Sequence, residues 1–149
     1  MDIFRELLSN RILISGCLAW FTAQVLKLLI HWRVHKKLDW TRLFGDGGMP
    51  SGHSATVTAM AVRSGILYGA GSFEFAVTAL LAIIVMHDAM GVRLETGKQA
   101  VIIKEIVQLL EALGQDVTNE EKLKEFVGHT PSQVVAGALL GICTALLCP

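Results

Sequence analysis

The sequence lacks cysteine pairs, net charge and a signal-peptide cleavage site, and each absence excludes a class of protein. Its three cysteines show no Cys-x-x-Cys spacing, which argues against a zinc site or a disulfide framework. Thirteen basic and thirteen acidic residues give a net charge of zero, so the whole chain offers no electrostatic argument for nucleic-acid binding. No Ala-x-Ala-like site follows the first apolar run, so we expect that run to be retained as a helix.

Apolar residues, in contrast, are abundant. They make up 52% of the 149 residues, and the mean hydropathy of +0.52 exceeds that of ordinary soluble domains. The run from Ile12 to Trp32 contains one charge, Lys27, and is long enough to cross a hydrocarbon core of about 30 Å. Shorter or less pure runs follow at Ala55–Ala70, Phe75–Met86 and Val134–Cys148. We therefore predict an all-α, polytopic membrane bundle with about four transmembrane helices, formed by residues 1–149 as a single domain.

The helices of this bundle are predicted from the apolar runs and the turn residues between them. They cover residues 11–32, 54–70 and 73–92, with a last crossing that starts near Pro131, and residues 33–50 form a polar loop. The segment 94–128 is dense in charge, and its apolar residues follow helical spacing, which predicts an amphipathic helix outside the lipid core that ends at Gly114. A capping box at residues 118–121 predicts a short helix that stops at Gly128.

Lysine and arginine are unevenly divided between the two sides of this bundle. Four crossings place the loop 33–50 and the segment 93–128 on one side, and both termini on the other. Most of the basic residues then lie on or near the first side: Lys27, Arg33, Lys36, Lys37, Arg42, Arg93, Lys98, Lys104, Lys122 and Lys124. The positive-inside rule makes that side cytoplasmic, which predicts a multi-pass protein of the cell membrane.

Several polar residues converge at the cytoplasmic ends of these helices. His53 and His129 lie at the starts of two descending helices, whereas Lys27, Asp88 and Arg93 lie near the ends of rising ones. Helix N-termini present unpaired N–H groups and a partial positive charge, and they therefore bind anions such as phosphate. Arginine holds two phosphate oxygens with its planar fork, and lysine adds a point charge. We predict a phosphate site here.

The motifs around these residues resemble a known superfamily. Pro50-Ser51-Gly52-His53 is similar to the Pro-Ser-Gly-His motif of type-2 phosphatidic acid phosphatases and vanadium haloperoxidases, and the segment from His129 to Gly141 resembles their last motif. With Lys27 and the Asp88–Arg93 segment, the set resembles a divergent bacterial and plant branch, the acid phosphatase/vanadium-dependent haloperoxidase-related membrane proteins. This resemblance covers nearly the whole chain.

The resemblance implies phosphoryl transfer through a phosphohistidine, with active-site roles carried over one residue at a time. His129 attacks phosphorus, His53 protonates the leaving oxygen, and Asp88 is a candidate to orient the nucleophile. Four groups stabilise the equatorial oxygens, namely Lys27, Ser51, the Gly52 backbone and Arg93. The scheme requires no metal and no cofactor. The expected substrate is a phosphate monoester or diphosphate that is linked to a lipid, such as a phospholipid or a polyprenyl phosphate.

The sequence departs from the superfamily pattern at two positions. Gln133 stands where the superfamily has the aspartate that orients the nucleophilic histidine, and we assign its amide to the phosphate site. Arg93 lies far upstream of His129, across the amphipathic segment, rather than a few residues before it.

Two other functions stay open. One is a non-catalytic membrane protein that retains a phosphate-binding pocket, and the other is vanadate-dependent halide oxidation. A homodimer would bury more of so thin a bundle.

Overall fold

The computed structural model describes residues 2–36, 40, 48–114 and 129–148, without the side chains of residues 92–94 and 111. All regular elements in these ranges are α-helices, which confirms the predicted all-α class. The elements are α1 (Ile3–Ser9), α2 (Arg11–His35), α3 (Gly52–Tyr68), α4 (Phe73–Met90), α5 (Val92–Ala112) and α6 (Pro131–Leu147).

Side-chain caps set where three of the helices begin. The Asn10 side chain accepts hydrogen bonds from the N–H groups of Ile12 and Leu13, each at 3.1 Å, and thereby starts α2. Ser72 caps α4 by accepting from Phe75 N–H at 3.2 Å. Ser51 caps α3, which therefore begins at Gly52, two residues earlier than the sequence predicts. Helix α2 continues to His35, beyond the predicted end at residue 32.

Helix α3 is the centre of the bundle and packs against α2, α4 and α6. A Cβ added to Gly137 would meet the Ser51 carbonyl oxygen, and one added to Gly141 would meet the Ala55 carbonyl oxygen. These contacts follow each other in the same direction, so α3 and α6 run parallel with their backbones in close approach. One hydrophobic cluster at this centre consists of alanines: Ala19, Ala23, Ala55, Ala59 and Ala145. A second joins α3 to α4 and consists of Val57, Ala61 and Ala82.

Large apolar side chains lie mainly on the outside of the bundle. Leu80, Ile83 and Ile84 of α4 are each more than half exposed, as are Leu139 and Leu146 of α6. Small residues inside and large apolar residues outside are typical of helices that pack within a lipid bilayer, where small side chains allow close approach.

Two stretches within the described residues are long and apolar enough to cross a membrane, namely Arg11–His35 and Phe73–Leu110. Helices α3 and α6 have 17 residues each, which corresponds to about 26 Å at roughly 1.5 Å per residue. The four-crossing topology therefore stays a prediction.

Helix α5 follows α4 after Gly91, and among the described elements it contacts only α4. It begins at Val92, close to the predicted start of the amphipathic segment. Gly114, with φ +78°, follows its C-terminus, as the sequence predicts. The predicted capping box at 118–121, the helix stop at Gly128 and most of the loop 33–50 lie outside the described residues.

Arg63 is buried at the end of the bundle opposite the Pro-Ser-Gly-His motif. Its Nη1 donates to the Ala145 carbonyl oxygen at 3.4 Å. That carbonyl belongs to the last turn of α6, where the helix itself supplies no donor. The buried charge of Arg63 therefore caps the C-terminus of α6.

Candidate active site

The structure brings His53 and His129 together although they are far apart in the chain. Their ring centroids lie 6.0 Å apart, and the rings are nearly perpendicular, with an interplanar angle of 89°. His129 is buried, with 3% of its surface exposed, whereas His53 is exposed. The His129 imidazole therefore lies inside the protein, and the His53 imidazole lies at its surface.

Two backbone hydrogen bonds between chain segments hold the histidines in register. His129 N–H donates to the Ala89 carbonyl oxygen at 3.1 Å, which fixes the start of α6 on the last turn of α4. Ser51 N–H donates to the Gln133 carbonyl oxygen at 3.0 Å, which fixes the start of α3 on the first turn of α6. The site is thus located where three helix ends meet.

Lys27 reaches this site from α2. It is buried, with 8% of its surface exposed, so its ammonium group is not extended into the surrounding interface. A Cβ built on Gly52 would lie 3.8 Å from Lys27 Nζ, and one built on Gly48 would lie 4.0 Å from the Lys27 Cγ and Cδ atoms. The lysine stem therefore follows the loop before α3, and its charge lies at the N-terminus of that helix.

The N-terminus of α3 supplies the anion-binding geometry. Ser51 is completely buried, and its Oγ accepts hydrogen bonds from Ser54 N–H at 3.3 Å and from the Ser54 hydroxyl at 3.0 Å. The predicted phosphate donor Ser51 thus acts as the helix cap in this structure. Gly52 is the first residue of the helix, where a backbone N–H has no acceptor within the helix. Lys27 Nζ lies beside this first residue.

Gln133 also has a capping contact. Its Oε1 accepts the backbone N–H of Thr130 at 3.1 Å, and Pro131 occupies the first position of α6. The amide oxygen is therefore engaged by the helix start. Any part that the Gln133 side chain has in phosphate binding falls to its Nε2 group.

The two remaining predicted site residues lie at the junction of α4 and α5. Asp88 is half-buried and directly precedes Ala89, whose carbonyl oxygen accepts the His129 N–H. Arg93 belongs to the first turn of α5, and its side chain lies outside the described part of the chain. The backbone thus places both residues near the C-terminal end of α4, which is hydrogen-bonded to the His129 backbone.

Gln24 is not among the predicted site residues, but the structure places it beside the site. Gln24 is 6% exposed, and its Nε2 lies 3.9 Å from the position of a Cβ on Gly52. Its signal in the sequence is a polar amide in an apolar helix, one turn before Lys27. Gln24 adds a neutral hydrogen-bond donor next to the lysine.

The assembled groups can bind and transfer a phosphoryl group. A positive ammonium, a helix N-terminus and neutral donors surround the approach to two imidazoles, and these are the groups that stabilise equatorial phosphate oxygens. Phosphoryl transfer needs a nucleophile and a group that gives and accepts a proton, and an imidazole is able to fill either role. Among the described residues, no group of three or more His, Cys, Asp or Glu side chains is arranged to hold a metal ion.

Comparison with known proteins agrees with these motifs. The family model described as "Divergent PAP2 family" matches residues 8–144. The uncharacterized membrane protein YuiD of Bacillus subtilis (strain 168) is 40% identical over 151 aligned residues, which cover 95% of this chain and 96% of the relative. No solved structure matches the chain. The chain therefore belongs to the Divergent PAP2 family.

Proposed function

We propose that this protein is an integral membrane phosphatase that hydrolyses a lipid-linked phosphate monoester or diphosphate through a phosphohistidine intermediate. The observation that carries the proposal is the meeting of His53 and His129, with ring centroids 6.0 Å apart, beside the buried Lys27. A phosphoryl group bound beside this pair lies close to both imidazoles. Membership of a phosphatase-related family supports the same chemistry.

In the first step, a ring nitrogen of His129 attacks phosphorus. The bond between phosphorus and the leaving oxygen breaks, and His53 in its protonated form donates its proton to that oxygen. Lys27, the Gly52 N–H and Gln24 stabilise the charge on the equatorial oxygens, and Arg93 joins them on the strength of the sequence motif. Asp88 orients His129 from the end of α4. The product is an alcohol or a phosphate, and the phosphoryl group is held on His129.

In the second step, water attacks the phosphorus of the phosphohistidine. Neutral His53 accepts a proton from this water, and the bond between phosphorus and the His129 nitrogen breaks. Inorganic phosphate leaves, and both imidazoles return to their starting protonation states. The exposure of His53 supports this role, because water reaches the outer side of the site.

The membrane placement rests on the outward-facing apolar side chains and on the two stretches that are long enough to cross a bilayer. The description of the B. subtilis relative as a membrane protein supports it. In the proposed topology the protein is multi-pass, and the site opens at the cytoplasmic surface, on the side that is rich in lysine and arginine. A lipid phosphate head group at that surface is at the depth of the site.

Hydrolysis by the purified protein tests this function. The protein in detergent is given phosphatidate, phosphatidylglycerophosphate and a polyprenyl phosphate separately, and released phosphate is measured. We expect release from at least one of them, and loss of that release in His129→Ala. His35→Ala is the matched control, because His35 is an exposed histidine that stacks on His31 rather than on the site pair.

The outcomes separate phosphatase activity from the non-catalytic alternative. Absence of phosphate release from every substrate, together with binding of vanadate that depends on His53 and His129, would favour a binding protein. Equal activity in His129→Ala and the wild type would refute the phosphohistidine mechanism.

A further inference from the structure

An apolar groove runs along the surface between α2 and α3. It has a volume of 450 Å³, and its lining comes from the facing sides of the two helices: Leu13, Gly16, Cys17, Trp20, Phe21, Thr56 and Met60. The polar groups of this lining are the Cys17 thiol, the Trp20 indole N–H and the Thr56 hydroxyl. The Thr56 hydroxyl donates to the Gly52 carbonyl oxygen at 2.8 Å. No charged side chain belongs to this lining.

The groove begins at the candidate active site. Trp20 forms part of its wall, and the Trp20 Cδ1 atom lies 3.6 Å from the position of a Cβ on Gly52. On α3, Thr56 and Met60 follow Gly52 at one-turn intervals. From Trp20 to Leu13 the groove extends about 10 Å along α2, at roughly 1.5 Å per residue, away from the two histidines.

Gly16 lines the groove at a point where α2 and α3 are in close contact. A Cβ at Gly16 would lie 2.9 Å from Met60 Cγ and 3.5 Å from Thr56 Cγ2. The absence of a side chain therefore allows Met60 to pack directly against the α2 backbone within the lining.

We propose that this α2–α3 groove holds the hydrocarbon chain of the lipid phosphate whose head group binds at His53 and His129. The inference rests on the proposed function and adds a chain-binding site to it. The groove is apolar and uncharged, and it is continuous with a positively charged site that binds anions. An amphiphilic ligand with a phosphate head group and a hydrocarbon chain fits both parts. The groove makes the substrate a lipid phosphate with a long chain rather than a water-soluble phosphate ester.

Chain-length dependence of hydrolysis tests the groove in the working protein. We expect the kcat/KM of the wild type to rise from hexyl phosphate to hexadecyl phosphate. Cys17→Phe places a ring in the groove and is expected to reduce this rise by about tenfold, because hydrophobic pockets discriminate by filled volume. Cys143→Phe, at an exposed position of α6 outside the groove, is the matched control and is expected to keep the wild-type dependence. An unchanged dependence in Cys17→Phe would overturn the proposal.

A binding measurement without turnover separates the failure of the groove from the failure of the phosphatase. In a Cys143→Ser, Cys148→Ser background, the alkylation rate of Cys17 is measured with hexadecylphosphonate, which cannot be hydrolysed. We expect at least fivefold protection by this ligand, and none by methylphosphonate and hexadecanol added together. Equal protection by hexadecanol alone, or no protection by the phosphonate, would refute the groove, whether or not the protein hydrolyses phosphate esters.

Discussion

The two site histidines have different surroundings, and this difference supports the roles proposed for them. His129 is 3% exposed and is held by its backbone to Ala89, whereas His53 is exposed at the start of α3. A nucleophile benefits from a fixed position, because a small misplacement lowers the rate of attack. A general acid must exchange its proton with water in every cycle. The buried ring is therefore suited to attack and the exposed ring to proton transfer.

Replacement of His53 by alanine tests the acid role through the leaving group. We expect the rate of phosphoryl transfer from an alkyl phosphate to fall about 10²- to 10⁴-fold, the usual contribution of general acid catalysis. Transfer from p-nitrophenyl phosphate is expected to fall much less, because its leaving oxygen departs without a proton. Pre-steady-state rates for the two esters provide the measurement. An equal loss for both esters would contradict the role of His53 as the acid.

Replacement of Lys27 by methionine tests the charge at the N-terminus of α3. The substitution keeps the length of the buried stem but removes the ammonium group beside Gly52. We expect kcat/KM to fall about 10²- to 10³-fold, as for the loss of one group that stabilises developing charge. Lys98→Met is the matched control, since Lys98 is exposed on α5 and paired with Glu95 at 2.6 Å. Similar activities in the two variants would show that Lys27 has no part in the reaction.

Single residues show where sequence reasoning ends. The motif predicts that His53 begins a helix, because a serine and a glycine precede it. It does not predict that Ser51 is buried under Ser54, or that Gln133 turns its amide oxygen to Thr130 N–H. These directions depend on which helix packs above each residue, and a single sequence does not specify that packing.

At the scale of elements, the contact between α3 and α6 positions the site. Ser54 Cβ lies 3.0 Å from the position of a Cβ on Gly137, and Thr58 Cβ lies 2.9 Å from one on Gly141. The same approach allows Ser51 N–H to bond the Gln133 carbonyl oxygen. Two glycines spaced one turn apart thus connect helix packing to the geometry of the active site.

Alanine at Gly137 or Gly141 tests this connection. Either Cβ would press on a backbone carbonyl oxygen of α3, which cannot move as a side chain can. We expect a loss of stability of about 1–3 kcal/mol from overpacking, and a larger loss of activity for Gly137→Ala because it displaces Ser51. Thermal unfolding and phosphate release provide the measurements. Gly71→Ala is the control, since a Cβ there meets nothing within 4 Å. Equal stability and activity in all three variants would show that the α3–α6 contact does not position the site.

The helices were largely predictable, whereas their pairing was not. Long apolar runs separated by glycine, serine or proline indicate α2, α4 and α6, and their ends agree with the structure to within a few residues. Small residues on α6 predict close packing but not the partner. The partner is specified by contacts between distant segments, such as that of Arg63 with the Ala145 carbonyl oxygen. Local sequence patterns contain no information about such pairs.

For the whole molecule, the distribution of polar groups separates two ends. One end has the histidine pair, Lys27 and the starts of α3 and α6, and the other has the buried Arg63 at the C-terminus of α6. Alanines and glycines fill the space between them, and the large apolar side chains face outward. This arrangement suits a bilayer with the reaction at one surface.

Cysteine labelling in whole cells tests the proposed orientation. In a variant without native cysteines, Asp2→Cys and Gln99→Cys each introduce one exposed thiol, the first before α1 and the second on α5. The proposed topology of four crossings places the N-terminus outside and α5 inside. We therefore expect a membrane-impermeant maleimide to label Asp2→Cys in intact cells, and Gln99→Cys only after lysis. The reverse pattern would place the active site on the outer surface.

The most direct test of the proposed phosphohistidine mechanism is to locate the phosphoryl group during turnover. The protein is mixed with a hydrolysable lipid phosphate, quenched in base within milliseconds and mapped by mass spectrometry. We predict an acid-labile phosphate on His129 that forms before phosphate is released and decays at the turnover rate. Phosphate on a different residue, or turnover with no phosphorylated protein at any time, would contradict the account.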